Sequence, residues 1–412
     1  MTTRRIFLKN SAMAMVGIGM LPKWLARSAY ASAVGGRKKI LVAIFQRGAA
    51  DGLNVVVPYG EESYYKLRPS IAIPRAELLN LDGFFGFHPA LAGLKPLWDQ
   101  GHLAALHATG SPDPTRSHFD AQDFMESGTP GLKSTDDGWL NRALGLDPNA
   151  GASPMRAVAM SAQVPMTLQG RVPAVAINNL SAFRVGGAGP QAALVGDSFE
   201  AMYDQAADAV LRPAGRDTFE ALGLLKQLDP RSYQPANGAI YPNQQLGNSL
   251  KQLAQLIKAD VGVEVAFADV GGWDHHVNEG NAQGQLANSL RQFGDAINAF
   301  WTDLGERQQD VVLVTMSEFG RTVHENGNRG TDHGHANVMF VLGGEVQGGK
   351  VYGDWPGLSS QQLYQERDLA ITTDFRDVLS EVVRRHLGVT QLSGVFPGFD
   401  VNPAKFRNFL RV

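Results

Sequence analysis

The chain has 412 residues, of which 44% are hydrophobic and 19% are charged, and its net charge at pH 7 is −3. This charge offers no basic field for nucleic acid, and no Lys/Arg-rich stretch indicates binding to anionic lipid. The absence of cysteine from the sequence excludes disulfides and thiolate chemistry. The expected partner is therefore a small molecule or another protein.

The N-terminal segment has the features of an export signal. Arg4 and Arg5 form the pair that is typical of twin-arginine signals. The uncharged run that follows, residues 11–21, is shorter than the roughly 20 apolar residues that a membrane span needs. Small residues at Ala29 and Ala31, or two positions later, supply a cleavage site. We predict a signal peptide over residues 1–33, export by the twin-arginine translocase to the periplasm or beyond, and no stable membrane anchor.

Apolar runs and helical periodicity then alternate along the chain. Short apolar runs that stop at turn residues predict buried strands over 40–45, 103–108, 263–270, 311–315 and 338–342. Amphipathic patterns predict helices over 246–259, 285–304 and 374–387. Such alternation indicates an α/β fold with a mostly parallel central sheet and helices on both faces.

Residues 34–412 are predicted to form a single domain, within which one segment departs from this rhythm. Between about residues 150 and 242, two runs at 155–160 and 172–177 resemble paired strands, and a Gly/Ala/Pro-rich stretch follows them. We interpret this segment as an insertion or cap on the main domain.

Three carboxylates follow predicted strands directly. Asp51 comes after the first strand, Asp274 after the third and Glu318 after the fourth. The carboxyl ends of parallel strands share one edge of a sheet, where ligands of α/β proteins bind, so we expect these acids to converge. Asp51 is followed by Gly52, and the Asp-Gly pair is also a common turn dipeptide.

Histidines accompany these acids. His275 and His276 follow Asp274, and the segment Asp332-His333-Gly334-His335 lies further along the chain. Carboxylates and imidazoles from separate loops are typical ligands of divalent cations. A single histidine at a strand end is more often a hydrogen-bonded polar residue than a ligand. Three acid and histidine clusters together nevertheless favour a metal site.

A candidate nucleophile follows the second predicted strand. Ser117 begins a predicted helix, where backbone N–H groups and the helix dipole stabilise an anion, and Thr115 is the second choice. The other interpretation of Ser117 is a helix N-cap, with Asp120 completing a capping box. His118 is a candidate ligand, general acid or surface residue. Arg116 has the geometry to hold phosphate or sulfate oxygens.

Four motifs together resemble the bacterial family catalogued as domain of unknown function 1501. They are residues 45–52 (FQRGAADG), 271–276 (GGWDHH), 317–322 (SEFGRT) and 330–337 (GTDHGHAN). That family is considered related to the alkaline phosphatase superfamily. The resemblance implies an α/β sandwich with two metal ions at the strand ends and a Ser, Thr or formylglycine nucleophile.

The resemblance also implies roles for individual residues. By position, Asp51 is the early metal carboxylate, Asp274 with His275 or His276 forms a ligand set, and Glu318 is the later acid. His333 or His335 then supplies the final imidazole.

The chain departs from the better-known relatives at several positions. Glu318 stands where an Asp is usual, and Phe319 follows where a His or Asn ligand is expected, which puts the second metal in doubt. Cysteine is absent, and Ser111 lies one position too far from Pro114 for the sulfatase motif. A formylglycine sulfatase is therefore disfavoured.

Two functional hypotheses follow. The first is an exported, metal-dependent hydrolase of phosphate or sulfate esters, which uses Ser117 or a metal-activated water as nucleophile. The imidazoles favour Zn, with Mn, Mg and Ca as alternatives. Arg47, Arg116 and Arg321 are candidate anion-binding residues, although each is equally an ordinary surface charge. The second hypothesis is a periplasmic binding or assembly protein on the same fold, with a degenerate or structural metal site.

Overall fold

The computed structural model describes residues 38–147, 153–180 and 232–411. The predicted signal peptide and most of the predicted insertion lie outside these residues. The strands are β1 (Ile40–Gln46), β2 (Val56–Val57), β3 (Leu79–Asn80), β4 (Gly86–Phe87), β5 (Leu103–Gly110), β6 (Ala157–Ala159), β7 (Val175–Ala176), β8 (Val265–Val270), β9 (Val311–Ser317), β10 (Asn337–Gly343), β11 (Val351–Tyr352) and β12 (Thr373–Asp374). The α-helices are α1 (Gly52–Val55), α2 (Glu62–Leu67), α3 (Lys95–Asp99), α4 (His118–Ser127), α5 (Trp139–Gly145), α6 (Gln245–Lys258), α7 (Gln285–Leu304), α8 (Phe375–Arg385) and α9 (Leu392–Val395).

A nine-stranded central sheet organises the described part of the chain. Its order is β11-β5-β10-β9-β1-β8-β6-β7, and β12 also pairs with β5. Strand β1 runs parallel to β8 and β9, while β10 runs antiparallel to both of its neighbours, β5 and β9. The other pairs of this sheet are parallel, so the mostly parallel sheet predicted from the sequence is confirmed.

Helices cover both faces of this sheet. Alternate residues of β1 point to opposite faces, as the pleat of a strand requires. Ile40, Val42 and Ile44 pack in a core with α6 and α7, whereas Leu41, Ala43 and Phe45 pack in a second core with α5 and α8. Burial on both faces explains why β1 reads as a continuous apolar run.

The observed elements follow the predicted ones closely, with informative differences at their ends. Strands β5 and β9 continue to Gly110 and Ser317, beyond the predicted ends at residues 108 and 315. Their additional residues are buried although they include polar and turn-forming types, because pairing with β10, β12 and β1 satisfies their backbone groups.

The predicted insertion contributes to the central sheet. Strands β6 and β7 pair in parallel with each other, and β6 pairs with β8. The described part of this segment therefore extends one edge of the sheet, and a cap formed by the remainder stays a prediction.

The adjacent strands β9, β1 and β8 end at the same edge of the sheet. The segments after them carry Glu318, Asp51 and Asp274 respectively, and further side chains reach this edge from α4 and from the loop before β10. Among the described helices, none combines the length and apolar content that a membrane crossing needs.

Candidate metal centre

Three segments bring histidines to one carboxylate at this edge. His118 is the first residue of α4, Asp274 follows β8, and His333 lies in the loop before β10. One ligand atom from each of these three residues lies within 4.8 Å of the other two. His276 adjoins the group, and we call these four residues, His118, Asp274, His276 and His333, the histidine cluster.

The Nε2 atoms of the three imidazoles face the Asp274 carboxylate. The distances to Asp274 Oδ1 are 3.0 Å from His276 and 3.4 Å from His333, and His118 Nε2 lies 3.5 Å from Asp274 Oδ2. The Nε2 atoms of His276 and His333 are 3.0 Å apart. Nitrogen ligands of a tetrahedral zinc ion, each about 2.0–2.1 Å from the metal, are separated by about 3.3 Å.

The opposite ring nitrogen of each imidazole faces an oxygen acceptor. Nδ1 of His118 is 2.8 Å from Glu318 Oε1, and Nδ1 of His333 is 2.8 Å from the Arg116 carbonyl. Nδ1 of His276 is 3.1 Å from Asp332 Oδ1. Carbonyls and carboxylates accept hydrogen bonds, which assigns each Nδ1 as a donor, and in the corresponding neutral tautomer the Nε2 lone pair of each ring faces Asp274. Metal-ligating histidines commonly have this arrangement.

These lone pairs need a positive group between them. Two neutral imidazoles would otherwise place lone pairs 3.0 Å apart, beside an anionic carboxylate. The Nε2 atom of His118 is also buried, and no described residue hydrogen-bonds to it. The hydrogen bond to Glu318 raises the pKa of His118, whereas burial lowers the pKa of His333. The donor set fits a divalent cation, which would satisfy all three rings.

Arg321 holds the Asp274 carboxylate in place. Its buried guanidinium donates to Asp274 Oδ1 at 2.6 Å and to backbone carbonyls after β1 and β8, including those of Ala49 and Trp273. Burial opposes ionisation of Asp274, but Arg321 outweighs it and lowers the pKa of the carboxyl. Gly48 allows the two loops to approach, because a Cβ there would lie 2.8 Å from the Asp274 nitrogen.

Glu318 lies behind the cluster. Its Oε1 accepts from Gly48 N, Gln122 Nε2 and His118 Nδ1, each at 2.8 Å. Its Oε2 accepts from Ala49 N at 3.0 Å, and Ser317 Oγ, whose shorter hydrogen bond at 2.7 Å goes to the Gln46 carbonyl, lies 3.0 Å from Oε2. Burial opposes ionisation, but these hydrogen bonds, led by that from His118, lower the pKa of Glu318. The carboxylate is therefore ionised and saturated by donors from the protein.

Asp51 lies in a separate, fully buried group. It forms an ion pair with Arg68, with 3.0 Å between Asp51 Oδ1 and Arg68 Nη2, and Glu279 hydrogen-bonds to it. Burial opposes its ionisation, but the charge of Arg68 lowers the pKa of Asp51, while burial beside Asp51 raises the pKa of Glu279. We call Asp51, Arg68 and Glu279 the buried ion cluster.

The remaining predicted ligands occupy the surroundings of the histidine cluster. Burial lowers the pKa of His275 to about 4, and its Nδ1 has no hydrogen-bond partner in the described part of the chain. The His335 ring stacks on Tyr364, with 4.2 Å between the centroids. Asp332 accepts from His276 and from Asn326. Direct coordination of a metal ion by His275, His335 or Asp332 stays a prediction.

The predicted anion-binding arginines all donate to protein groups. Arg47 hydrogen-bonds to Asp269, Gln122 and Glu126, and Arg116 donates to Asp368 and Gln365. Arg321 donates to Asp274 and to backbone carbonyls. Binding of an anion by any of these arginines stays a prediction.

Ser117 caps α4, as one of the two interpretations holds. Its Oγ accepts from Asp120 N at 3.5 Å, a long distance for a hydrogen bond. Thr115 Oγ1 accepts from Ser117 N at 3.2 Å. The hydroxyl of Ser117 is thus adjacent in sequence to His118 and only weakly engaged by its own helix.

Three residues that hydrogen-bond to Asp51 or Glu318 were not predicted from the sequence. Arg68 and Glu279 belong to no motif, so nothing in the sequence connects them with Asp51. Gln122, in contrast, is four residues after His118 on α4, and side chains at this spacing share a helix face. Helical periodicity therefore offered a signal for Gln122.

Comparisons with known proteins identify a family. A family model described as "Protein of unknown function (DUF1501)" matches residues 38–396. No curated protein matches the chain.

Several solved structures show a distant similarity. The C-terminal periplasmic domain of EcEptC from Escherichia coli, in complex with Zn, is 12% identical over 75% of this chain and 73% of that chain, with a TM-score of 0.34. The PsFucS1 sulfatase from Pseudoalteromonas sp. is 12% identical over 92% and 74%, with a TM-score of 0.39. The alkaline phosphatase from the Antarctic bacterium TAB5 is 10% identical over 75% and 93%, with a TM-score of 0.28. Similarity at these scores carries no argument about activity.

Proposed function

The chain belongs to the DUF1501 family. We propose that it is a metal-dependent hydrolase of phosphate or sulfate esters. The histidine cluster carries the proposal. Its imidazoles fix their Nδ1 atoms on oxygen acceptors and direct their Nε2 atoms to one carboxylate. Structural polar clusters usually satisfy both nitrogens, whereas within the described residues His118 Nε2 is buried and makes no hydrogen bond.

Zn²⁺ is the proposed ion, because imidazole nitrogens dominate the donor set. Mn²⁺, Mg²⁺ and Ca²⁺ are the alternatives that oxygen ligands would favour. A cation held by His118, Asp274, His276 and His333 would supply Lewis-acid polarisation of an ester oxygen.

The chain's own groups would orient the reaction. Glu318 and the Arg116 carbonyl hold His118 and His333 by their Nδ1 atoms. Ser117, at the N-terminus of the ten-residue helix α4, is the proposed nucleophile, because helix N-termini stabilise anions. Thr115 is the second choice.

Hydrolysis of aryl esters tests this function. We expect the mature protein, loaded with Zn²⁺, to hydrolyse 4-nitrophenyl phosphate or 4-nitrophenyl sulfate, and chelation or Asp274→Ala to reduce the rate to background. The matched control is Asp354→Ala, which removes an exposed carboxylate paired with Arg407. Ser117→Ala tests the nucleophile: retained turnover would exclude Ser117. No turnover of either ester by the metal-loaded protein would contradict the proposal.

A second candidate is a periplasmic binding or assembly protein with a structural metal site. The observation that favours it is the engagement of all three predicted anion-binding arginines by protein acceptors. Stoichiometric metal, together with loss of thermal stability on chelation and no turnover, would select this candidate.

We also propose export by the twin-arginine route to the periplasm or the medium. The predicted signal lies outside the described residues, and Arg4 and Arg5 support the proposal by sequence alone. The proposed partners are the translocase and a small anionic ester. Replacing both arginines by lysine should retain the full-length precursor inside the cell.

A further inference from the structure

We propose that Glu318 positions His118 in a centre for one cation and is not itself a metal ligand. This inference rests on the proposed metal centre and deepens it, because it fixes the number of ions and the role of the later acid.

The hydrogen bonds of Glu318 leave no room for a cation. A carboxylate offers about four lone-pair sites. Glu318 already accepts from four N–H donors, Gly48 N, Ala49 N, Gln122 Nε2 and His118 Nδ1, at 2.8–3.0 Å, and its side chain is fully buried. A further polar atom, Ser317 Oγ, lies 3.0 Å from Oε2. A cation on either oxygen would have to displace backbone N–H groups of Gly48 or Ala49 from a dry site, which is costly.

The residue that follows Glu318 offers no ligand for a second ion, because it is an apolar phenylalanine. The buried ring of Phe319 packs against His118 and His333, with 5.0 Å between its centroid and each imidazole centroid. An apolar ring therefore occupies the position at which a second metal ion would need a ligand atom. Asp51, the other carboxylate at this edge, is neutralised by Arg68.

A chain of polar contacts fixes Glu318 relative to His118. Gln122 donates to Glu318 Oε1 at 2.8 Å and accepts from Arg47 Nη1 at 2.8 Å. Arg47 is in turn held by Asp269 and Glu126, at 2.7 and 2.8 Å. Because the amide oxygen of Gln122 faces Arg47, its NH₂ group must face Glu318. This orientation makes the Gln122 amide a donor to Glu318 Oε1, beside Gly48 N and His118 Nδ1.

Anchoring of Nδ1 by a carboxylate prepares His118 for a metal. It fixes the tautomer and the ring plane, and it increases the electron density on Nε2. Changes to such outer partners typically cost 10- to 100-fold in metal affinity. Glu318 is accordingly a positioning residue, whose effect is transmitted through His118.

Metal titration of three full-length mature proteins tests the inference: the unaltered chain, Glu318→Gln and Glu381→Gln. Glu381 is a matched control, since it is buried and accepts from Asn408 N and Leu410 N at 3.0 and 3.2 Å, but lies on α8. Bound zinc is counted by elemental analysis, and Kd is measured by chelator competition. Thermal unfolding of the metal-free proteins reports any general loss of structure.

We expect one equivalent of zinc in all three proteins, with a Kd about 10- to 100-fold weaker for Glu318→Gln and unchanged for Glu381→Gln. Gln122→Met, which removes the amide that holds Glu318, should weaken binding in the same direction. It keeps the test available if Glu318→Gln does not fold.

Three results would overturn the inference. Two equivalents in the unaltered chain and one in Glu318→Gln, with unchanged affinity for the remaining ion, would make Glu318 a ligand of a second metal while the proposed hydrolase stands. Equal affinities in both proteins would remove the positioning role alone. No zinc in the unaltered chain would overturn the metal centre and the proposed function together.

Discussion

The histidine cluster and the buried ion cluster lie at the same edge of the central sheet, but their carboxylates meet different surroundings. The side chain of Asp274 is 46% exposed and faces three imidazoles, each with one nitrogen already bound to an oxygen acceptor. The side chain of Asp51 is 2% exposed and forms an ion pair with Arg68, whose side chain is completely buried.

This difference separates a site prepared for a ligand from one that is complete in itself. In the buried ion cluster, charges of opposite sign satisfy one another within the protein. In the histidine cluster, the proposed metal-binding Nε2 atoms face Asp274, and no described residue hydrogen-bonds to His118 Nε2. Position at the strand ends is common to both clusters, so the partners of each carboxylate decide its role.

Replacement of Asp274 and of Asp51 by asparagine, one at a time, should affect zinc binding and stability differently. Asp274→Asn removes the anionic ligand, so we expect the loss of stoichiometric zinc. The unfolding midpoint of the metal-free protein should fall less than in Asp51→Asn, because Asp274 is 46% exposed and Arg321 keeps its backbone carbonyl acceptors. Asp51→Asn should retain one equivalent of zinc and lower that midpoint, because Arg68 loses its partner. Elemental analysis and calorimetry measure both quantities. Loss of zinc in Asp51→Asn would make Asp51 part of the metal centre.

Removal of the buried cation should cost considerable stability. Arg68→Met leaves two buried carboxyl groups without a counter-charge, and breaking a buried pair in this way costs about 3–5 kcal/mol. Urea unfolding of the metal-free protein measures this change. Arg75→Met is the control, since Arg75 forms an exposed pair with Glu62 and its loss should have no measurable effect. An equally small effect at Arg68 would show that its ion pair contributes little.

The histidine cluster should give the metal-free protein a specific pH dependence. The hydrogen bond to Glu318 raises the pKa of His118 above its ordinary 6.5. Protonated His118 therefore stabilises the fold fully below pH 6.5, and this contribution disappears as the pH rises through the raised value. The difference in unfolding free energy between the unaltered chain and Glu318→Gln should shrink over that interval. A difference that grows with pH would contradict the assigned hydrogen bond.

The strands and the convergence of acids followed from the sequence for simple reasons. Apolar runs that end at Asp51, Asp274 and Glu318 mark central parallel strands, and such strands share one carboxyl edge. The histidines beside these acids then indicated a metal site, and His118 was a candidate from its place after the second predicted strand. Long-range pairing, in contrast, has no local pattern, so the Arg68 partner of Asp51 was not foreseen.

The orientation of side chains also could not be predicted from the sequence. His275 and His276 are adjacent and chemically identical, and only the turn after β8 places His276 at the cluster and His275 in a buried site. Glu318 was predicted as a metal carboxylate on its position alone. Its four N–H donors come from two separate segments, and no pattern in one of them predicts the other.

Anomalous diffraction at the zinc absorption edge, from crystals of the mature protein grown with zinc, tests the central claim most directly. We predict one peak, about 2.0–2.1 Å from the Nε2 atoms of His118, His276 and His333 and from an oxygen of Asp274. Density bound to Asp51 or Glu318, or no peak at the histidine cluster, would contradict the account.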